Sequence, residues 1–268
     1  MTSTSSRPLR SRILAGPQAG ALGILGFLAM WEVACRSGLV DDRYVPPASR
    51  VLVATVQYFG DGEFWRAVGR TMSGWAIGLA IAAVAAIVLG IVIGSSDVLR
   101  RGTHSTIEFL RPIPSVALIP LAVLVFGTSL RSTLLLVVYA AFWQVLIQVL
   151  YGVGDVDPVA SDTAKSYQLG RVARIRYLVW PTALPYVMTG LRLGAAVALI
   201  LAVTAELVIG GGGLGELIAL AQSGDAIDQL YALIFVAGML GVAINVGMRA
   251  IERRTLAWHT SVRGEVAL

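Results

Sequence analysis

Asp162-Thr163-Ala164-Lys165-Ser166-Tyr167-Gln168-Leu169-Gly170-Arg171 is a polar island that closes on Trp180-Pro181-Thr182-Ala183-Leu184-Pro185. It stands between two apolar runs, 132–154 and 187–209, each long enough to cross ~30 Å of hydrocarbon at ~1.5 Å per helical residue. The first run has no charged residue, and the second holds Arg192 near its start and Glu206 near its end. A loop this long and patterned, ending in two prolines that set up the next run, is a candidate transmission element.

The same alternation extends along all 268 residues, of which 56% are hydrophobic and 14% charged. With a mean hydropathy of +0.76, the chain is too apolar for a soluble domain that must keep a wettable surface. Six runs are read as spans: 13–31, 71–96, 113–130, 132–154, 187–209 and 230–248. Ala, Leu and Gly dominate them, and in lipid a lone helix satisfies its own backbone groups where a lone strand cannot. The short alternating strands of a porin-like barrel are absent. The expected fold is all-α, a polytopic membrane protein with about six transmembrane helices.

The organisation that follows is a cytoplasmic N-terminal tail (1–12), a first transmembrane helix (13–35) and an extracytoplasmic amphipathic segment (36–70). A core of five transmembrane helices (71–248) carries a cytoplasmic loop (155–185), and a cytoplasmic tail (249–268) ends the chain. Basic residues set the orientation. With the N-terminus inside, fourteen fall on inner segments: Arg7, Arg10, Arg12, Arg100, Arg101, Arg111, Lys165, Arg171, Arg174, Arg176, Arg249, Arg253, Arg254 and Arg263. Six fall outside: Arg36, Arg43, Arg50, Arg66, Arg70 and Arg131. The net charge of +5 is thus accounted for by topology and anionic lipid, and basic patches interleaved with aromatics, as nucleic acid would need, are missing.

The first run is longer than a signal-peptide core and lacks a small-residue cleavage site, so a retained span is expected. One cysteine, Cys35, excludes an intrachain disulfide. In the segment after it, Pro46-Pro47-Ala48-Ser49 reads as an extended lead-in and an N-cap. Val51 to Phe59 then reads as a helix lying on the membrane or a neighbour, a spacer rather than a substrate contact.

Polar and helix-bending groups inside the spans are the candidates for a translocation pathway: Pro120, Trp143, Gln144, Gln148 and Glu206. An interior proline frees a carbonyl, so Pro120 marks either a kink beside a wet path or a packing distortion. Gln144 and Gln148, one helical turn apart, bond either an anion or a neighbouring helix. Glu206 must face protein or water, and its closeness to the outer end favours a structural pairing or gate. Two motifs mislead. Gly210-Gly211-Gly212-Gly213-Leu214-Gly215 has dinucleotide-fingerprint spacing but follows an apolar helix rather than a strand, and reads as a flexible outer loop. No Gly-x-x-x-x-Gly-Lys-Ser/Thr loop occurs. His104 and His259 lie outside the spans, and no metal site is expected.

From about Pro46 to Arg254 the chain resembles the integral membrane permeases of bacterial ABC importers, closest to the branch for aliphatic sulfonates, taurine and nitrate. The resemblance rests on Pro46-Pro47-Ala48-Ser49, Gly90-Ile91-Val92-Ile93-Gly94, Leu110 to Leu121 (Leu-Arg-Pro-Ile-Pro-Ser-Val-Ala-Leu-Ile-Pro-Leu) and Phe126-Gly127-Thr128. Leu184-Pro185-Tyr186, Thr189-Gly190-Leu191-Arg192, Ala205-Glu206-Leu207 and Gly213-Leu214-Gly215 follow in order. The family's loop signature is Glu-Ala-Ala, three residues, Gly, nine residues, Ile-x-Leu-Pro. With Pro181 as the final proline, Asp162-Thr163-Ala164 fall on Glu-Ala-Ala and Gln168 falls on the glycine. Either Gly170 supplies the bend or the turn forms without glycine.

The resemblance implies a type I ABC importer permease fold in the bacterial plasma (inner) membrane, with both termini cytoplasmic. It makes Ala160, Asp162, Thr163, Ala164, Lys165, Tyr167, Gln168, Gly170 and Arg171 the loop that couples to the ATPase. Asp157-Pro158 reads as the cap and first-turn proline of its helix, and the face of Ala160, Ala164 and Tyr167 is expected to enter a cleft on that partner. The implied partners are two ATPase subunits, a second permease copy in a homodimer, and an extracytoplasmic solute-binding protein. The chain is not expected to be an enzyme: it binds no cofactor, ATP and Mg being used by the partner ATPase. A permease for another small solute remains an alternative. A secondary active transporter would show ionisable residues near mid-membrane. An intramembrane enzyme would need clustered nucleophile, base or metal ligands.

Overall fold

Five helices long and apolar enough to cross a membrane and one bent helix pair organise the described residues, and small side chains decide how they pack. The computed structural model describes residues 17–257, and every regular element among them is helical. In order these are α1 (Pro17–Arg36), α2 (Ala48–Phe59), α3 (Gly62–Gly94), α4 (Asp97–Leu110), a 3-10 turn (Ser115–Leu118), α5 (Ile119–Phe126) and α6 (Leu130–Gly154). Then come α7 (Pro158–Ser166), α8 (Arg171–Arg174), a π turn (Ile175–Val179), α9 (Trp180–Ile209), α10 (Leu214–Ser223) and α11 (Ile227–Thr255). The expected positions Arg7, Arg10, Arg12, His259 and Arg263 lie outside the described residues, as does the start of the first run.

The centre is α3, α6 and α9. Along α3 a small residue recurs every fourth position: Gly74, Gly78, Ala82, Ala86, Gly90 and Gly94. This row faces an equally spaced row on α6. A Cβ on Gly78 would lie 3.0 Å from Val137 Cβ, one on Gly94 2.8 Å from Val153 Cβ, and Gly90 meets Val149 in the same way. Glycine is required here because the backbones approach too closely for any side chain. Partner numbers rise together, so α3 and α6 run parallel. By contrast, Gly152 abuts Ala183 and Gly194 abuts Val145 and Ala141, so α6 and α9 run antiparallel. Trp75 Nε1 donates to Ala195 O (2.8 Å), fastening α3 to α9.

The parallel register determines the topology between them. Gly74 is level with Thr133, and Gly94 with Val153, so the chain leaving α3 at residue 94 must climb back ~30 Å before α6 begins. It does so through α4, the 3-10 turn and α5, a broken pair bent by 80°. The expected third span, a helix over 113–130 bent at Pro120, is therefore corrected. Its only α-helix is α5, eight residues long, and the lower half of the crossing is the charged helix α4. Pro120 is not an interior proline but sits in the first turn of α5, where its missing N–H is an orphan in any case. The kink comes from the break at Arg111–Pro114.

The segment before α3 is mostly helical, and residues 62–70 already belong to the spanning helix. Ser49 is not a cap. Pro47 occupies the cap position without a side-chain bond, and Glu32 of α1 replaces it: Ser49 N and Oγ donate to its two carboxylate oxygens at 3.0 and 2.9 Å. Val51 and Ala54 then pack on Ala232 of α11, with Trp31 and Tyr231 alongside.

These contacts place residues 37–61 and 210–226 at one end of the bundle and residues 95–97, 155–170 and 253–257 at the other. Single cysteines at the exposed Ser166 and Ser223, in a Cys35→Ala background, are expected to react with an impermeant thiol reagent from opposite faces of the membrane. Labelling of both from one face of sealed vesicles would rule out this arrangement.

Candidate functional site

The end that carries residues 155–186 is built around a short helix projecting from the bundle. Asp157 accepts from Val159 N (2.9 Å) and Pro158 occupies the first turn, as the Asp-Pro pair predicts. The other end closes as a Schellman turn. Leu169 N donates to Ala164 O (3.0 Å) and Gln168 N to Lys165 O (2.8 Å). That geometry needs a left-handed residue, and Gln168 adopts it with φ +54°. The position where the family pattern has glycine thus keeps glycine's conformation with a glutamine in it. Gly170 is extended (φ −61°, ψ 162°) and starts α8, so it does not supply the bend.

The small face of α7 is turned inward, contrary to the expectation that it is offered to a partner. Ala164 is buried and Ala160 half-buried within this chain, because Ala164 sits beneath the closing turn. What projects is Val159 (72% exposed), Asp162, Thr163, Lys165, Ser166 and Tyr167 (80%). Lys165 and Asp162 pair at 2.9 Å, a solvated contact of little energetic weight. Gln168, Gly170 and Arg171 are exposed beside them, with Val172 also 80% exposed.

Both roots of this projection are tied to the bundle. Tyr186 Oη of α9 donates to Asp155 Oδ2 (2.8 Å), bridging the end of α6 to α9. On the other side the chain passes through a π turn, in which Trp180 N donates to Ile175 O. The next residue, Pro181, has no N–H and its ring would clash with the carbonyl four residues back, so a widened turn suits this spot. Thr182 Oγ1 donates to Leu178 O (2.8 Å), satisfying one carbonyl in the loosened turn. Periodicity does not reveal the π turn; Trp-Pro-Thr is its one local signal.

The five pathway candidates do not converge. Trp143 is buried in the core beside Leu146 and Ala86, and it lines a shallow apolar hollow with Phe126, Arg131 and Phe142. Gln144 and Gln148 lie where α6 meets Gly190 of α9, Gln148 through its Cβ and Gln144 through its backbone carbonyl. Pro120 is exposed on α5. Glu206 is buried (6% exposed) at the opposite end of the bundle, where it holds a turn together. Thr71 Oγ1 donates to its carboxylate at 2.7 Å, Gly215 N at 3.2 Å, and Leu214 N donates to Thr71 Oγ1 at 2.9 Å.

The glycine run is therefore a built turn rather than a flexible loop. Gly210, Gly211 and Gly212 have positive φ, Gly212 N–H donates to Glu216, and Gly213 and Gly215 press on Glu206 and on the backbone of α9. Arg192 is also deeper than the sequence reading placed it. Because α9 begins at Trp180, Arg192 lies well inside the helix and pairs with Glu252 of α11 at 3.1 Å.

A cavity of about 1010 Å³ opens on the α7 end, between α4, α6 and the start of α9. Its lining includes Arg100, His104, Glu108, Arg111, Tyr151, Asp155 and Tyr186. The sequence reading treated 97–110 as an inner connection and missed this wall. Ile107 and Leu110, which pack on the Leu146 cluster, carry the helical spacing that marks it.

Two substitutions test these turns. Gln168→Gly removes the left-handed penalty and is expected to raise unfolding stability by up to about 1 kcal/mol in detergent melts; a loss of stability would contradict the assigned geometry. Gly215→Ala drives a Cβ into Val203 O and Leu207 N and is expected to cost about 1–3 kcal/mol. Gly238→Ala on α11, with open space around it, is expected to be neutral or stabilising in the same assay.

Comparison with known proteins agrees with this architecture. Residues 57–256 match the family described as "Binding-protein-dependent transport system inner membrane component". The chain is 32% identical over 249 residues to the taurine transport system permease protein TauC of Escherichia coli (strain K12), covering 91% of this chain and 90% of that protein. It is 26% identical over 237 residues to the putative aliphatic sulfonates transport permease protein SsuC of Bacillus subtilis (strain 168), covering 88% and 86%. The fold matches the inward-facing MetNI methionine ABC transporter with a TM-score of 0.63 at 16% identity, over 72% of this chain and 95% of that one. The chain therefore belongs to the binding-protein-dependent transport system inner membrane components, in the sulfonate, taurine and nitrate branch, and has the type I ABC importer permease fold.

Proposed function

We propose that this chain is the membrane subunit of an ATP-driven importer for a small solute such as a sulfonate, taurine or nitrate. Two copies form the alternating-access pathway. Two ATPase subunits bind at the α7 end, which faces the cytoplasm with both chain termini, and an extracytoplasmic binding protein delivers solute at the α10 end. ATP and Mg are used by the ATPase, and the permease performs no covalent chemistry.

The observation that carries this reading is the projection of α7, exposed at its tip and tied at both roots to the helices of the bundle. Motion imposed on Val159, Tyr167 or Asp162 passes to α6 through Asp155 and to α9 through the π turn. For ATP to drive transport, the docked loop must interact differently with the two states of the ATPase pair, since equal binding shifts no equilibrium. The coupling residues proposed are Asp162, Thr163, Lys165, Tyr167, Gln168, Gly170 and Arg171, with Ala160 and Ala164 supporting them from beneath. A secondary transporter would work without an ATPase, and dependence of uptake on ATP rather than on an ion gradient separates the two.

Val159→Arg and Tyr167→Arg alter only exposed side chains. They are expected to leave insertion and melting temperature unchanged while uptake falls at least tenfold and the ATPase no longer co-purifies. Ala164→Arg, by contrast, places a long cation under the closing turn and is expected to destabilise the permease itself. Wild-type uptake by both tip variants at matched expression would show α7 to be a mere connector.

A further inference from the structure

The cavity wall contributed by α4 holds a cation at an unusual depth. Tyr139, near the middle of α6, donates through Oη to Leu110 O (2.8 Å), while α4 begins at Asp97 beside the end of α3. Arg111 follows Leu110, so it stands at the corner of the broken crossing, about half-way through the bundle, and not on the inner segment where the charge count puts it. It is exposed to the cavity it lines. The other charged groups there each have a polar partner, two of them through groups that need carry no charge. His104 Nδ1 lies 3.4 Å from Glu108, Arg100 pairs with Asp97 at 2.8 Å, and Asp155 accepts from Tyr186. Among the described residues Arg111 has no carboxylate within salt-bridge distance.

An unmatched guanidinium at mid-membrane depth is costly and persists only where water or an anion meets it. Its planar fork of donors fits the paired oxygens of a sulfonate, nitrate or carboxylate, which a neutral amide cannot replace. We propose that Arg111 is the oxyanion-contacting residue of this cavity and that it sets the preference for anionic over neutral solutes. The identity of the anion as cargo rests on the import reading; the site itself does not.

Uptake of ethanesulfonate, taurine and nitrate is measured for the full importer carrying Arg111→Gln, Arg111→Lys or the control Arg101→Gln. Arg111→Gln is expected to lose at least tenfold, Arg111→Lys, which keeps the charge without the fork, to lose severalfold but less than Arg111→Gln, and the control to match wild type. Wild-type uptake by Arg111→Gln would overturn the proposal. A second arm needs no transport: the purified full chain is melted in phosphatidylcholine with rising ethanesulfonate. The wild type is expected to gain melting temperature with concentration and Arg111→Gln to gain none, both starting within a few degrees of each other. Failure of wild-type uptake with this difference intact would sink the import reading and leave the site standing. The same shift in both proteins would sink the site, as would a shift given by phosphatidylglycerol and not by ethanesulfonate, which marks a lipid-headgroup site.

Discussion

The interlocking of two rows of every-fourth residues, small on α3 and β-branched at most contacts on α6, is the constraint from which the rest of the bundle follows. Gly78, Gly90 and Gly94 admit Val137, Val149 and Val153 at a separation no larger side chain permits. Lipid offers no hydrophobic drive between helices, so close van der Waals fit must hold them. The match runs along the whole thickness of the bundle, so a slip in register would put Cβ atoms into backbone at several places at once. Parallel neighbours need a return crossing, and that need produces the broken helix pair and the cavity beside it.

The two ends of the bundle are held by different chemistry. At the α10 end one buried carboxylate, Glu206, gathers Thr71, Gly215 and, through Thr71, Leu214, joining α3, α9 and α10 in a dry knot. At the α7 end the ties are few and exposed, such as Tyr186 to Asp155, and the chain loosens into a π turn. Hydrogen bonds buried away from water resist rearrangement more than exposed ones. On the proposed import reading, the stiff end suits a docking platform and the loose end suits a lever.

Much of this was legible in the sequence. Apolar runs of membrane length located five of the crossings, and Asp157-Pro158 marked the start of α7, because hydrophobic length and cap chemistry are local properties. The broken crossing was not legible. Charges on α4 reduced its apparent hydropathy, and only its neighbours in space show that it climbs into the bundle. Ala164 was misread for a related reason: spacing shows which residues share a face, but whether that face meets its own chain depends on the turn at Gln168. Glu206 is expected at a structural pairing or a gate, and the structure shows it bonded to Thr71 and Gly215; the rigidity of the glycine turn beside it depends on those long-range contacts, which spacing does not reveal.

The parallel pairing of α3 with α6 also bears on how the protein is made. Helices enter the membrane in chain order, and the partner surface for the glycine row of α3 lies 59 residues further along, as the level of Gly78 with Val137 shows. Until the return crossing and α6 have been inserted, α3 sits in lipid with its most closely packing face uncovered. Biogenesis therefore passes through an intermediate whose glycine groove is open to other small-residue helices, and a delay between α3 and α6 exposes the nascent chain to mispairing and quality control.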